Sequence, residues 1–247
     1  MTAEKGGDAV RAVDRALDIL LAFQPEDRQL TASDLLKRVD LSRPTLYRLL
    51  KTLELRGFVR AFGEPQQFQL GPAIAHLSHV WASGQDLTQA AQPMMRRLWE
   101  QTGETVALLV QQGQDRICVA EIPSAQALSF KRGVGHREKI TLGASGKVIL
   151  AFSPEAETHL AALLPEQERV AYRRELARIH GVGYAVSKDE LIQGAVAVAA
   201  PFFAGNSKVL GSLAVYGPSA RVDEARIAQI VTLLLDESRE ISKTLGL

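Results

Sequence analysis

The sequence is short of most residues that advertise chemistry. It carries one cysteine, Cys118, in 247 residues. A single thiol makes neither an internal disulfide framework nor a cysteine metal site, which suits a reducing cytoplasm. Aromatic residues make up only 6% of the chain, so the core has to be built from Leu, Val, Ile and Ala. The formal net charge is +1, too small for a protein-wide basic field that would draw in nucleic acid. No apolar run approaches the roughly 20 residues that cross a bilayer. The opening MTAEKGGDAV also lacks the basic–apolar–small pattern of an export signal. These absences lead us to expect a cytoplasmic protein with no membrane partner.

What is present is ordinary globular composition, 46% hydrophobic and 23% charged. At roughly 100–200 residues per domain, the length favours two domains. Residues 1–8 read as a loose polar tail. Val13, Leu17, Leu20 and Leu21 recur at helical spacing and predict a first helix from Val10 to about Phe23. Thr31 followed by Asp34 is a capping-box-like start for a short helix. After a DLS turn, LSRPTLYRLLKTLELRGFV predicts a third helix that begins at Ser42 and stops at Gly57. The runs FVRAF and QFQL then read as two short strands around a turn marked by Gly63 and Pro65. This closes a unit over residues 1–71. Residues 72–84, with Ile74, Leu77 and Trp81 on one face, predict a linker helix. From 85 to 247 helices and strands mix. Helices are expected over 86–101, from Ser145, over 154–163, over 166–179 and over 223–245. Strands are expected at TVALLVQQ, RICVAEI, LSFKRG, AVAVAAPFF and VLGSLAVYG. The fold class is α+β, with a largely antiparallel sheet under helices.

In the third helix, Leu46, Leu49, Leu50 and Leu53 share one face, and Arg48 and Lys51 lie opposite. Taken alone, that is equally the pattern of a surface helix. Its neighbours favour DNA: a capped helix and tight turn precede it, as in a helix-turn-helix, and a ribbon follows, as in a wing. Between Lys37 and Arg60 seven cations face two anions, a local excess of +5 in a chain of net +1. Phosphate contacts need such a local field. The candidate DNA-binding residues are Ser42, Arg43, Thr45, Tyr47 and Arg48 toward base edges, with Lys51 and Arg60 toward phosphates.

The stretch LGASGK resembles neither a complete P-loop nor a nucleophile elbow, since Thr141 and Lys147 stand where glycines are needed. It fits a glycine-rich turn into a helix whose free amides attract a carboxylate, and fits equally a plain N-cap at Ser145. His76 and His79 are three apart on the linker helix, but no third ligand is evident from spacing, so no metal is expected. No catalytic residue and no cofactor is implied, although an enzyme acting on a small acid with an accessory nucleic-acid domain stays open as an alternative.

The chain resembles the IclR family of bacterial transcription regulators over nearly its whole length. The motifs run from AVDRALDILLAF and SRPTLYRLLKTLELRGFV through TGETVALLVQQG, GASGKVILAF and GVGYAVSKDEL to AVAVAAPFF and SLAVYGPSARV. The resemblance implies a winged helix-turn-helix, a linker helix and a GAF-like effector-binding domain. Its implied partners are double-stranded operator DNA, a small carboxylate effector and further copies of the chain, as dimers or tetramers. Carried over by position, the effector pocket includes Gly143, Ala144 and Ser145, whose amides would take the acid. Four further pocket positions that often hold polar groups are occupied here by Ser187, Ala197, Ala214 and Tyr216. Three of these four have lost the small polar group, which argues for an effector with an aromatic or apolar body. Phe130 and Arg132, on the strand expected at LSFKRG, are added as lining candidates.

Overall fold

The computed structural model describes residues 10–24, 26–83, 86–205 and 208–246. The tail expected over residues 1–8 lies outside them. The chain divides into two compact units, 1–84 and 85–247.

In the first unit, helices α1 (Arg11–Leu21), α2 (Ala32–Arg38) and α3 (Arg43–Leu55) pack around a small sheet. That sheet contains β1 (Leu30–Thr31), β2 (Val59–Phe62) and β3 (Gln67–Leu70) in the order β1-β3-β2. Its core joins Ile19, Leu35, Leu46, Leu50, Val59 and Phe68, all buried. The register of α1 differs from the expected one. Ile19 faces the core, while Val13, Leu17 and Leu21 are exposed, Leu21 by 76%. Helical spacing identifies a face but not what covers it, and in α1 the covered face is the one bearing Ile19, Ala16 and Leu20.

The cap of α2 has both halves of a capping box. The Asp34 N–H donates to Thr31 Oγ1 at 3.2 Å, and the Asp34 carboxylate accepts from the Thr31 N–H at 3.2 Å. The N-terminus of α3 works differently. Ser42 has the extended N-cap backbone, but its hydroxyl pairs with Thr45 Oγ1 at 2.9 Å instead of capping the helix. Helix α4 (Pro72–Ser83) follows the ribbon. Its Leu77 is half-exposed; the side chains of His79 and Trp81 lie outside the described residues.

The second unit is a six-stranded sheet in the order β6-β5-β4-β9-β8-β7, with every pairing antiparallel. Its strands are β4 (Thr105–Gln112), β5 (Asp115–Ile122), β6 (Arg137–Lys139), β7 (Ala185–Lys188), β8 (Ala195–Phe203) and β9 (Val209–Pro218). Alternation sends Val196, Val198, Phe202, Leu213 and Val215 to one face, beneath α5 (Asp86–Thr102) and α9 (Glu224–Thr244). Ala199 and Ala214 point to the other face, where α6 (Gly143–Phe152) lies on the sheet with α8 (Glu166–Val182) behind it. The alanines keep that contact close. Gly146 keeps α6 close to the turn before it, since a Cβ there would collide with the Ile140 carbonyl. Helix α7 (Ala156–Leu163) completes this layer.

One expectation is corrected here. LSFKRG is not a strand: the β5 edge is taken by β6, and the Arg132 and Gly133 amides donate to the Glu121 carboxylate at 2.9 and 3.1 Å instead. The opposite edge of the sheet is β7, a four-residue strand that pairs with β8 and was not foreseen in the sequence.

Candidate functional site

The helix α3 leucines behave as their spacing implies: Leu46, Leu50 and Leu53 are buried and Leu49 partly so. The opposite face is open. Ser42, Arg43, Tyr47, Arg48 and Lys51 are exposed, and Thr45 is half-buried. Arg60 is exposed on β2, opposite Gln69 of β3. Several cations have local partners. Arg38 is bound to Asp27, Arg43 donates to Ser33 Oγ at 3.3 Å, and Lys51 meets Glu54 at 3.1 Å. Exposed pairs of this kind contribute little and give way easily to a phosphate.

The second unit holds a cavity between α6, the sheet and the segment 123–136. It is about 70 Å³ measured to the centres of water-sized spheres, several times the ~10–15 Å³ that one water needs. The sheet supplies Ala107, Leu109, Cys118, Ala197 and Tyr216, and α6 supplies Gly143, Ala144 and Ser145. Phe130, Arg132 and His136 come from the segment, which is pinned by the Thr105 hydroxyl donating to the Phe130 carbonyl at 2.7 Å. Leu191 and Ile192 come from the turn after β7.

The polar groups are unevenly satisfied. The α6 N-terminus, expected to offer free amides, is partly occupied by the protein itself. The Gly143 N–H donates to Glu190 Oε1 at 2.9 Å, and the Ala144 N–H donates to Ser187 Oγ at 3.2 Å. Lys147 holds the other Glu190 oxygen at 2.9 Å and Glu175 at 3.2 Å. Burial alone would lower the Lys147 pKa, but these carboxylates more than offset it and hold it above the usual lysine value. Gly143 has φ +68°, and a Cβ there would press on Leu191 at 2.9 Å and on an Arg116 nitrogen at 3.2 Å.

Arg116 is 4% exposed. Its Nη1 donates to the Lys139 carbonyl at 3.3 Å, while its Nε has no hydrogen-bond partner. Burial pulls the guanidinium down to about 10, with Glu138 acting in the opposite direction. Nearby, Glu138 is shared by Arg132 at 3.1 Å and His136 at 3.0 Å. The Tyr216 hydroxyl donates to Glu121, and burial followed by that bond raises its pKa. Cys118 is pushed up to about 12 by burial and is an inert thiol wall.

This architecture matches known proteins along its length. A family model described as "IclR helix-turn-helix domain" matches residues 12–61, and one described as "Bacterial transcriptional regulator IclR C-terminal" matches residues 79–243. The chain belongs to the IclR family. It is 30% identical to the HTH-type transcriptional regulator XynR of Escherichia coli K12, over 96% of this chain and 98% of that one. Among solved structures, an IclR-type regulator from Alicyclobacillus acidocaldarius aligns with a TM-score of 0.82 at 25% identity, covering 96% of this chain and all of that one. An IclR homologue from Microbacterium hydrocarbonoxydans, crystallised with 4-hydroxybenzoate, has the same fold (TM-score 0.78, 24% identity, 95% and 98% covered).

As an IclR-family member, the chain is a DNA-binding transcription regulator with an effector-binding domain, and it is not an enzyme. No described helix is long and apolar enough to cross a membrane, and no cluster of three potential metal ligands occurs among the described residues. Within the effector domain the cavity brings together Phe130, Arg132, Gly143, Ala144, Ser145, Ser187, Ala197 and Tyr216. It does not include Ala214. That residue faces the same side but is 1% exposed under α6, packed with Ala144 and Ala199. Sequence reasoning missed Arg116, His136, Glu138 and Glu190. The available signal for Arg116 was a charge inside an apolar strand, RICVAEI, where a lone cation needs a reason.

Proposed function

We propose that this regulator senses a small organic acid with an aromatic or apolar body, and that occupancy of the cavity changes the affinity of the first unit for operator DNA. In this reading residues 1–71 bind DNA, 72–84 connect, and 85–247 bind the effector and associate with further copies in the cytoplasm. Arg48, with Ser42, Arg43, Thr45 and Tyr47, reads base edges, and Lys51 and Arg60 hold phosphates. The exposed Val13, Leu17 and Leu21 on α1 offer an apolar row for self-association.

The observation that carries the effector reading is the wall of the cavity. Leu109, Phe130, Leu191, Ile192 and four alanines give it an apolar body, while Arg116 and Arg132 add positive charge beside β5 and β6. Small keto acids find few partners among Ala197, Tyr216 and the occupied Gly143 and Ala144 amides. Population shift supplies the mechanism: the acid stabilises one arrangement of the protein, and linkage requires DNA to change acid affinity by the same factor.

The test is a thermal-shift screen of the full chain with aliphatic and aromatic carboxylates, repeated with the DNA upstream of its gene. 4-Hydroxybenzoate, the acid held by the Microbacterium homologue, is a natural first probe. At 100 times its Kd a ligand adds about 2.7 kcal/mol, a rise of roughly 5–10 °C for a protein this size. Tight pyruvate binding with no response to aromatic acids overturns the apolar-body reading.

A further inference from the structure

Resting on the effector reading above, we infer that the acid group is anchored by Arg116 rather than by the α6 N-terminus, and that the cavity selects a monoanion over a dianion.

The first argument is occupancy. Glu190 and Ser187 already fill the Gly143 and Ala144 amides, and Lys147 locks Glu190 in place from its far oxygen. A carboxylate arriving at the Gly143 amide has to displace one that is already bound there, and at the Ala144 amide it has to displace a hydroxyl, so it gains little at either.

The second argument is the unmet demand of Arg116. Its side chain is almost wholly buried, lines the cavity, and has an Nε without a partner. A buried cation in this state is costly, and a planar carboxylate is the group that matches its fork of donors. One of its Nη nitrogens lies against the Gly143 Cα position, where a side chain on residue 143 would touch it. Glycine at 143 therefore leaves that nitrogen room.

The third argument is charge balance around the wall. Arg132 is matched by Glu138, and Lys147 is matched by Glu190 and Glu175. Arg116, by contrast, has no carboxylate within ion-pair distance among the described residues, so it is the cation of the wall that is free to take a ligand carboxylate. A second carboxylate on the ligand would face Glu138 or Glu190, both part of the cavity wall. Leu109, Phe130, Leu191 and Ile192 supply the remainder of the contact and fit a ring.

The test is isothermal titration of the full chain with benzoate, 4-hydroxybenzoate, terephthalate, benzamide and pyruvate. The wild type, Arg116→Gln, Arg116→Lys and Glu190→Gln are compared. Wild type binds the benzoates, with benzamide and terephthalate weaker by about tenfold or more. Arg116→Gln loses at least about 30-fold for the benzoates, as truncation of a buried hydrogen-bonded charge pair requires. It changes benzamide binding little. Arg116→Lys recovers part of the loss by restoring the charge without the fork. Thermal melts of each variant confirm that it is folded. Benzoates binding Arg116→Gln as tightly as wild type, with Glu190→Gln altering affinity, overturns the anchor but leaves the effector reading intact. Terephthalate binding as tightly as benzoate overturns the monoanion selection. If no carboxylate binds the folded wild type, the effector reading itself fails and this inference falls with it.

Discussion

Replacing Arg221 by alanine should unsettle both the fold of the second unit and the segment over its cavity. Arg221 holds the Glu104 carboxylate by two bonds of 2.6 and 2.8 Å and donates a third, at 2.9 Å, to the Leu128 carbonyl. The Glu104 side chain is 6% exposed. Gly217 packs so tightly beneath it that a Cβ there would lie 2.5 Å from a carboxylate oxygen, so Glu104 cannot swing toward water on that side. Removing one member of a buried ion pair typically costs about 3–5 kcal/mol, because it strands a charge. Arg221 is itself about a third exposed. Water therefore reaches part of the vacated space, and the expected loss falls to about 2–3 kcal/mol. For a unit of this size that is a fall in Tm of roughly 4–12 °C, read by scanning calorimetry. Adding Glu104→Gln to Arg221→Ala removes the stranded charge and should recover about 1 kcal/mol or more of the loss. The segment carrying Phe130 and Arg132 also loses one of its ties, so effector affinity should weaken in the single variant. A single-variant loss below about 0.5 kcal/mol, or no recovery in the double variant, would refute the account of Glu104 as a buried, Arg221-dependent charge.

Three further outcomes follow from named contacts. Arg48→Ala should cost about 1–3 kcal/mol in operator binding and relax sequence preference. Lys51→Ala should instead weaken binding to all sequences and make the salt slope shallower by about 0.9; gel-shift titrations across salt concentrations separate the two. Without ligand, Arg116→Met should raise stability by about 1–3 kcal/mol, because it removes a buried cation with an unpaired donor. The folded pKa of Arg116 is lowered to about 10, so the cost is full below pH 10 and is relieved as pH rises from there toward the unfolded value. The stability gap between wild type and Arg116→Met in urea titrations should therefore narrow above pH 10. In the first unit, Thr31→Ala should cost about 0.5–2 kcal/mol through the α2 cap. Asp34, lowered to about 2 chiefly by the Thr31 hydroxyl, contributes stability that is full above its usual value of 3.8 and is lost as pH falls toward 2. Acid melts of wild type should show that loss, and Thr31→Ala should flatten it.

The contrast between the two ends of the molecule explains what was legible beforehand. Helix α3 could be read because its information is local. Leucines at helical spacing, Pro44 in the first turn and Gly57 at φ +74° each act within a few residues, and the local charge excess is a sum over one stretch. The capping box of α2 is equally local, since Thr31 and Asp34 are three residues apart. The cavity draws its polar groups from β5, β6, β7, β9, α6 and two connecting segments, so no stretch of sequence displays them together. Ala214 is a pocket position by family resemblance, and it does lie on the same face of the sheet as Tyr216. Alternation cannot tell that α6 covers that position, while Tyr216, two residues on, opens to the cavity.

By itself, the sequence determined the helices and longer strands, the winged helix-turn-helix, the antiparallel α+β character of the second unit and, through the spacing of its motifs, the family. Hydrophobic periodicity, caps and turn glycines act over one or two turns of chain, which is why they suffice for this. Only tertiary structure decided that Glu190 and Ser187, some 45 residues downstream, occupy the α6 amides. It also decided that Arg116 is left buried with an unmet donor at the cavity wall. The physical reason is that hydrogen-bond satisfaction belongs to the packed assembly: whether a donor is free depends on which distant acceptor the fold brings within 3 Å.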